Sequence, residues 1–391
     1  MNNNTRMNRF EAKRKKGSFV NVFKTVLTLI GYYTAFQILL NILAISLNVI
    51  SNLLMQLHDL MVFINSYLNY YIRSKRMNYS ASKLFGVTNK KYLSELISID
   101  IKELKNIEKF YKVSPFTKIK NGKERKLYNP SFKYKKVLNT INLYLQQISP
   151  PSYVFGGIKG RNYVMNASLH KDNSNFLLLD LKDFFPSTRD YYVYNFFKNK
   201  LQMSTDIAKI CTLLTTVKVG VDIQDRNLPQ GFPTSPYLSF LCYYDMYNTI
   251  FKISNHKKIT FSCYYDDLTF SSSNFISKGF KRNIVKVIKE HGLVVNDNKS
   301  KLLFNKHGIK ITGAVVKEKT LLSPNKTQFK MYNHFDRLMD LYSTDPYQKN
   351  EILRLCNKVN GLLTALKIVE YNRDLTYIQN KVKEIRRKLI D

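Results

Sequence analysis

Phe261-Ser-Cys-Tyr-Tyr-Asp-Asp-Leu-Thr-Phe270 is the stretch on which the fold turns. Apolar and polar residues alternate in part on both sides of Asp266-Asp267, the pattern of a β-hairpin with two carboxylates at its tip. Taken alone, adjacent aspartates at an exposed turn are an ordinary solvated turn. An upstream segment changes the reading. Phe176-Leu-Leu-Leu-Asp180-Leu-Lys-Asp183-Phe-Phe-Pro186 reads as a buried strand ending in an acid, and a carboxylate there is costly unless paired or metal-bound. Nucleotidyl transfer uses two Mg²⁺ ions about 4 Å apart, one activating the attacking hydroxyl and one neutralising the triphosphate and leaving group. Hard cations take carboxylate oxygens from separate, rigid strands. An acid on a strand end plus an acid pair on a neighbouring hairpin meets that need, so Asp180, Asp266 and Asp267 are the expected catalytic metal ligands.

Between the two acid segments lies Leu228-Pro-Gln-Gly-Phe-Pro-Thr-Ser-Pro-Tyr-Leu238. Its Gly and Pro residues shape a tight loop, and a helix is expected to start near Ser235 or Pro236. The loop amides and Gln230 are candidates to contact template or incoming nucleotide. The bulk composition agrees with a polyanionic partner. Lys and Arg total 62 against 28 Asp and Glu, a formal charge of +34, which favours nucleic acid or an anionic membrane surface. Lysine-rich usage throughout the source proteome is the plainer explanation. Cys211, Cys242, Cys263 and Cys356 share no metal-ligand spacing, which argues against zinc and for thiols in a reducing compartment.

In this order the motifs resemble those of reverse transcriptases of the right-hand palm fold, and specifically the bacterial retron reverse transcriptases, over residues 78 to 391. The resemblance makes Asp180 the first-motif metal ligand, Asp183 a neighbour of the triphosphate and Phe185 the bulky gate that excludes a ribose 2′-hydroxyl. Gln230, Gly231, Ser235 and Pro236 match a Q-G-x-x-x-S-P motif, and Tyr264 to Asp267 a Y-x-D-D box. Lys299, in Val295-Asn-Asp-Asn-Lys-Ser300, matches a motif whose charge lies near the triphosphate; a surface lysine after a turn is the plain alternative. Asn166-Ala-Ser-Leu-His170 and Ile311-Thr-Gly-Ala-Val-Val316 fit retron elements that imply RNA contacts for Asn166, His170, Thr312 and Gly313, although a lone histidine is more often a satisfied core residue. Arg125, in a fingers motif, and Arg161, in a G-R turn, match family positions suited to holding RNA phosphates, with an ordinary exposed base as the alternative for either. The chain departs from the family at Phe155 (His expected), Tyr265 (Ala expected) and Ile311 (Val expected).

The fold so implied is α+β: a right-hand polymerase of fingers, antiparallel-sheet palm and helical thumb behind a hydrophobic helical N-terminus. The divisions are 1–24, basic and polar; 25–77, hydrophobic; 78–323, fingers and palm; 324–391, thumb. The resemblance implies two Mg²⁺ ions, dNTP substrates and a cognate structured non-coding RNA copied into branched multicopy single-stranded DNA, with a role in anti-phage defence. Reverse transcriptases of the group II intron or abortive-infection kind, and a membrane-tethered RNA-binding protein, are the rival readings.

The N-terminal region carries two patterns. Thr25 to Leu57 has no charged residue, more than the ~20 residues one membrane span needs. With basic residues on both sides, the positive-inside rule favours a hairpin turning near Asn48 to Asn52, tethering a bacterial cytoplasmic enzyme to the inner membrane face by residues 25–72. His58 and Asp59 would then lie inside the second helix, which is costly. Against this, Leu40, Leu47, Leu54, Met61 and Leu68 repeat every seven residues, a seam that would join copies of the chain through buried helices.

Overall fold

The computed structural model describes residues 28, 31–47, 49–51, 53, 54, 57 and 61, then 77–120, 122–219, 225–304 and 308–390. The chain divides into two units, Met1–Arg73 and Ser74–Asp391. In the first, helix α1 (Gly31–Ser51) has a mean hydropathy of 1.7 and is long and apolar enough to cross a membrane. Val49, Ile50 and Ser51, within the expected hairpin turn, are helical, as are Leu53 and Leu54, while Asn48 and Asn52 lie outside the described residues. No Gly or Pro stands there to break a helix. The basic residues 1–24, His58, Asp59 and the end of the heptad seam lie outside the described residues.

The second unit begins with short helices α2 (Lys90–Ile97), α3 (Ile101–Leu104) and α4 (Ile107–Phe110). Tyr92 to Phe110 carries a helical pattern in the sequence. It is broken because Ser98 takes a left-handed conformation and the Asp100 carboxylate caps a new start by accepting from Lys102 N–H. An antiparallel hairpin follows, β1 (Pro115–Lys120) and β2 (Lys123–Tyr128), then α5 (Phe132–Leu145) and α6 (Tyr163–Ser168). Strand β3 (Asn175–Asp180) leads into α7 (Phe184–Ser187), α8 (Asp190–Asn195) and α9 (Thr205–Thr215). A minimal pair, β4 (Val217–Lys218) and β5 (Arg226–Asn227), precedes α10 (Ser235–Cys242) and α11 (Tyr244–His256). As the sequence predicts, α10 begins at Ser235 with Pro near its first position, where the missing N–H costs nothing.

Next come β6 (Thr260–Tyr264), β7 (Asp267–Ser272), α12 (Lys278–Glu290) and β8 (Lys301–Phe304). They complete an antiparallel four-stranded sheet of order β6-β7-β3-β8. Its two faces follow from strand alternation. Leu268 and Phe270 pair across from Leu179 and Leu177, and on that face Phe270 meets Phe280 of α12 edge-on at 5.5 Å. Phe176 on the other face packs with Ala167 of α6 and with a second sheet. That three-stranded sheet is β9 (Ile309–Ile311), β10 (Ala314–Lys317) and β11 (Thr320–Leu322).

Helices α13 (Asn325–Thr344), α14 (Lys349–Val369) and α15 (Thr376–Ile390) end the chain. They share their own core, in which Leu355, Val359, Leu363 and Leu366 of α14 recur at helical spacing. The architecture is the α+β arrangement the sequence predicts: a helix-flanked antiparallel palm with a helical bundle after it.

Candidate active site

Strand pairing brings the acids together. Asp180, the last residue of β3, lies directly opposite Asp267, the first residue of β7. Asp266 occupies the β6–β7 turn beside Tyr265, which takes φ +59. Leu181 N–H donates to the Asp266 carbonyl at 2.9 Å, fastening the turn to the end of β3. One strand end, one turn and one strand start thus meet at one end of the sheet.

Asp180 is 7% exposed, and its charge is answered locally. The Lys299 ammonium donates to Asp180 Oδ1, and Asn296 Nδ2 donates to Oδ2 at 3.2 Å. Asn296 also donates its backbone N–H to the Asp180 carbonyl at 2.7 Å. The segment before Lys299 runs beside the chain leaving β3, with Lys182 N–H donating to Val294 O at 2.7 Å. The hydrogen bond to Asp180 holds the Lys299 pKa above its usual value. Asn296 was not singled out by sequence. Its only signal is its place three residues before Lys299, and its role depends on the loop folding back on β3.

The other two acids are under electrostatic stress. Burial raises the Asp266 pKa and the Asp180 charge adds to it, while Lys299 and Arg125 pull the other way. Burial, then the charges of Asp266 and Asp180, push Asp267 up to about 7. Crowded, half-buried oxygens of this kind are a hard-cation donor set. Among the described residues no three His, Cys, Asp or Glu side chains converge as a metal-binding group, and Asp180 is hydrogen-bonded to Lys299. The three carboxylates fit Mg²⁺ in chemistry, and Asp180, Asp266 and Asp267 would hold it. Bound there, the metal would polarise the attacking hydroxyl and neutralise triphosphate charge.

This stress fixes the sign of a pH effect. A carboxyl whose folded pKa lies above its unfolded value near 3.9 binds protons more tightly in the folded state. It costs nothing below the unfolded value, and stability is lost as pH rises from there through about 7. Asp267→Asn is therefore expected to raise the Tm of the metal-free protein by several degrees at pH 8, with the gain shrinking toward pH 5. Thermal melts at both pH values check this, and a lowered Tm at pH 8 would contradict it.

The remaining candidates divide by burial. Asp183 is exposed at the start of α7 with φ +47. Phe185 is half-buried, its ring 6.4 Å from that of Tyr265. Gln230 is half-buried, and its carbonyl accepts from Tyr128 N–H at 2.8 Å, docking the end of β2 on the loop. Arg125 on β2 is exposed, and its charge is felt at Asp266. Arg161 is placed differently from the phosphate role its motif implies. Its guanidinium donates to the carbonyls of Pro150, Pro151 and Val154, bracing the chain beside β6.

Asn166 and His170 are both 0% exposed, so the expected RNA contacts give way to internal ones. Asn166 Nδ2 donates to Thr312 Oγ1 at 3.2 Å, and Thr312 donates to the Tyr163 carbonyl at 3.3 Å. Gly313 lies against the Tyr163 ring. These residues tie α6 to the second sheet. His170 bridges Ser271 Oγ at 2.6 Å and Ser262 Oγ at 2.7 Å, on β7 and β6. Burial lowers its pKa to about 3, so it is neutral at physiological pH. His170→Ala should cost ~2–4 kcal/mol through the cavity and the orphaned hydroxyls. Urea denaturation measures this, and RNA affinity of the folded variant should match wild type.

The family description "Reverse transcriptase (RNA-dependent DNA polymerase)" matches residues 115–316, just over half of the chain. The chain belongs to the reverse transcriptase family. Among curated reverse transcriptases it is similar to the Retron Se72 enzyme of Salmonella heidelberg (strain 579083-10). Identity is 28% over 239 residues, covering 58% of this chain and 61% of that one. The Retron Ec48 reverse transcriptase of Escherichia coli is 25% identical over 239 residues, covering 55% and 56%. The chain therefore spans about three-fifths of the length of these relatives. Of the solved structures, a Candida albicans telomerase overlaps 77% of this chain and 68% of its own, at 10% identity and a TM-score of 0.42. The family match encloses every residue of the acid site and its surrounding motifs, from Arg125 to Gly313.

Proposed function

We propose that this reverse transcriptase is an RNA-directed DNA polymerase of retron type, extending a polynucleotide 3′ end with dNTPs and two Mg²⁺ ions. The observation that carries the reading is the pairing of Asp180 with Asp267, with Asp266 in the turn between β6 and β7. Asp180, Asp266 and Asp267 would hold the two ions, which when bound would activate the attacking hydroxyl and neutralise triphosphate charge. Lys299 and Arg125 supply positive charge beside it, where a triphosphate would need it. The likeness to retron enzymes supports the retron assignment.

On this reading the template is a structured non-coding RNA, and priming from a 2′-hydroxyl within it yields branched multicopy single-stranded DNA. Anti-phage defence is the biological setting. The formal charge of +34 fits a protein that holds a long RNA and its RNA–DNA product. Helix α1, long and apolar enough to cross a membrane, supports tethering to the inner face of the membrane through residues 25–72.

The test is to express the gene with its flanking DNA and isolate nucleic acid bound to the protein. Branched DNA that survives RNase supports the proposal and identifies the template. Unbranched DNA keeps the polymerase and removes the retron assignment. Bound RNA with no DNA overturns the polymerase reading.

A further inference from the structure

Tyr265 is the second residue of the Tyr264 to Asp267 box, and its surroundings give its large ring a task. The ring is 6.4 Å from Phe185 and tilted to it by 54°. Phe185 in turn meets the buried Phe184 at 5.6 Å. Tyr265 also lies against the Gly156-Gly157 turn with no room to spare. A Cβ added at Gly156 would come within 2.5 Å of Tyr265 N and 2.8 Å of its Cδ1. One added at Gly157 would come within 3.1 Å of Tyr265 Cε1 and 3.0 Å of Pro236 Cβ. Only glycines admit this ring at this depth.

The turn is itself rigidly held. Phe155 N–H donates to Cys263 O at 2.9 Å, and Cys263 N–H to Tyr153 O at 2.8 Å, so the chain before the turn is stitched to β6. Gln146 Nε2 donates to Gly157 O at 2.9 Å. Tyr247 Oη donates to the Tyr265 carbonyl at 3.4 Å, fixing its backbone from another side. The residue is therefore held at its ring edge and at its main chain.

We propose that Tyr265 is a positioning residue for sugar selection: seated on the Gly156-Gly157 turn, it keeps Phe185 from receding when a ribose 2′-hydroxyl presses on it. This rests on the polymerase reading and on Phe185 as the gate. A gate discriminates only as well as it resists displacement, because an added hydroxyl is rejected by the work of moving its neighbours. Phe185 is half-buried, so its backing decides how far it yields. Tyr265 supplies that backing from a segment tied to the sheet, whereas a small residue would leave a gap beside Phe185.

The test measures single-nucleotide incorporation on a primed RNA template with Mg²⁺, using dNTP and the matching rNTP. The readout is the ratio of their kcat/KM values for wild type, Tyr265→Phe, Tyr265→Leu and Tyr265→Ala. Steric rejection of an added hydroxyl is worth on the order of 100-fold, and Tyr265→Ala is expected to remove about tenfold of it. Tyr265→Leu should lie between, and Tyr265→Phe close to wild type, because it keeps the ring. A graded fall in the ratio supports the proposal even if Tyr265→Ala folds poorly. Equal losses toward both nucleotides, leaving the ratio unchanged across the series, would overturn it and leave Tyr265 a purely structural residue. Wild type that incorporates neither nucleotide would overturn the polymerase reading, and this inference with it.

Discussion

Asp266→Asn is expected to abolish DNA synthesis, lowering kcat by at least ~10³-fold, since losing even one transition-state donor costs ~10²–10³-fold. The substitution keeps the size of the side chain and removes the charge that a metal ion needs. Asp266 is in the turn that Leu181 N–H fastens to β3 at 2.9 Å through the main chain, so the variant should fold. It should fold at least as well as wild type, because burial and the Asp180 charge already resist ionisation at this position. RNA affinity should be nearly unchanged, because a carboxylate contributes nothing favourable to holding a polyanion. Primer extension and filter binding on the same preparation check both halves. Synthesis near the wild-type rate would remove Asp266 from the metal ligands, and loss of RNA binding together with synthesis would point to a folding defect.

Gly231→Ala is expected to reduce synthesis about 100-fold, the loss that a ~1 Å misplacement of a catalytic element produces. Gly231 has φ +116, and a Cβ there would come within 2.2 Å of Tyr128 O. The obstacle is main chain, so no side chain can swing aside. Tyr128 ends β2 and donates its N–H to Gln230 O at 2.8 Å, so the added methyl acts on the junction between the hairpin and the loop before α10. The left-handed backbone adds strain of ~1–3 kcal/mol. Tm should fall, and kcat/KM for dNTP should fall further than the loss of folded protein accounts for. Steady-state kinetics corrected for the folded fraction separate the two effects. Near-wild-type kcat/KM would mean that the β2 end and the loop move independently.

Much of the site was legible in the sequence because its chemistry is local. An acid ending an apolar run, an acid pair at a hairpin tip and a Gly-Pro loop before a helix each declare themselves within about ten residues. The β6–β7 hairpin, the start of α10 at Ser235 and the helical end of the chain are where those patterns put them. Periodicity alone does not mark element ends, where one backbone conformation or one cap decides. The pattern over Tyr92 to Phe110 is helical throughout, yet Ser98 and Asp100 end one helix and cap another. At Asn48 to Asn52 the polar residues suggest a turn, but the neighbouring residues are helical.

By itself the sequence determined which residues are acids, which strands carry them and that the whole is basic. Those properties belong to side chains and to periods of two and 3.6 residues. Only the tertiary structure decided which groups face each other. It set Asp180 against Asp267 through antiparallel register, brought Asn296 and Lys299 back to Asp180, and buried His170 between two serines. It also turned Arg161 inward onto three carbonyls and seated Tyr265 on two glycines more than a hundred residues away. A motif names a residue type at a spacing, but whether that side chain meets solvent, nucleic acid or its own core depends on what packs over it, and those atoms come from distant segments of the chain.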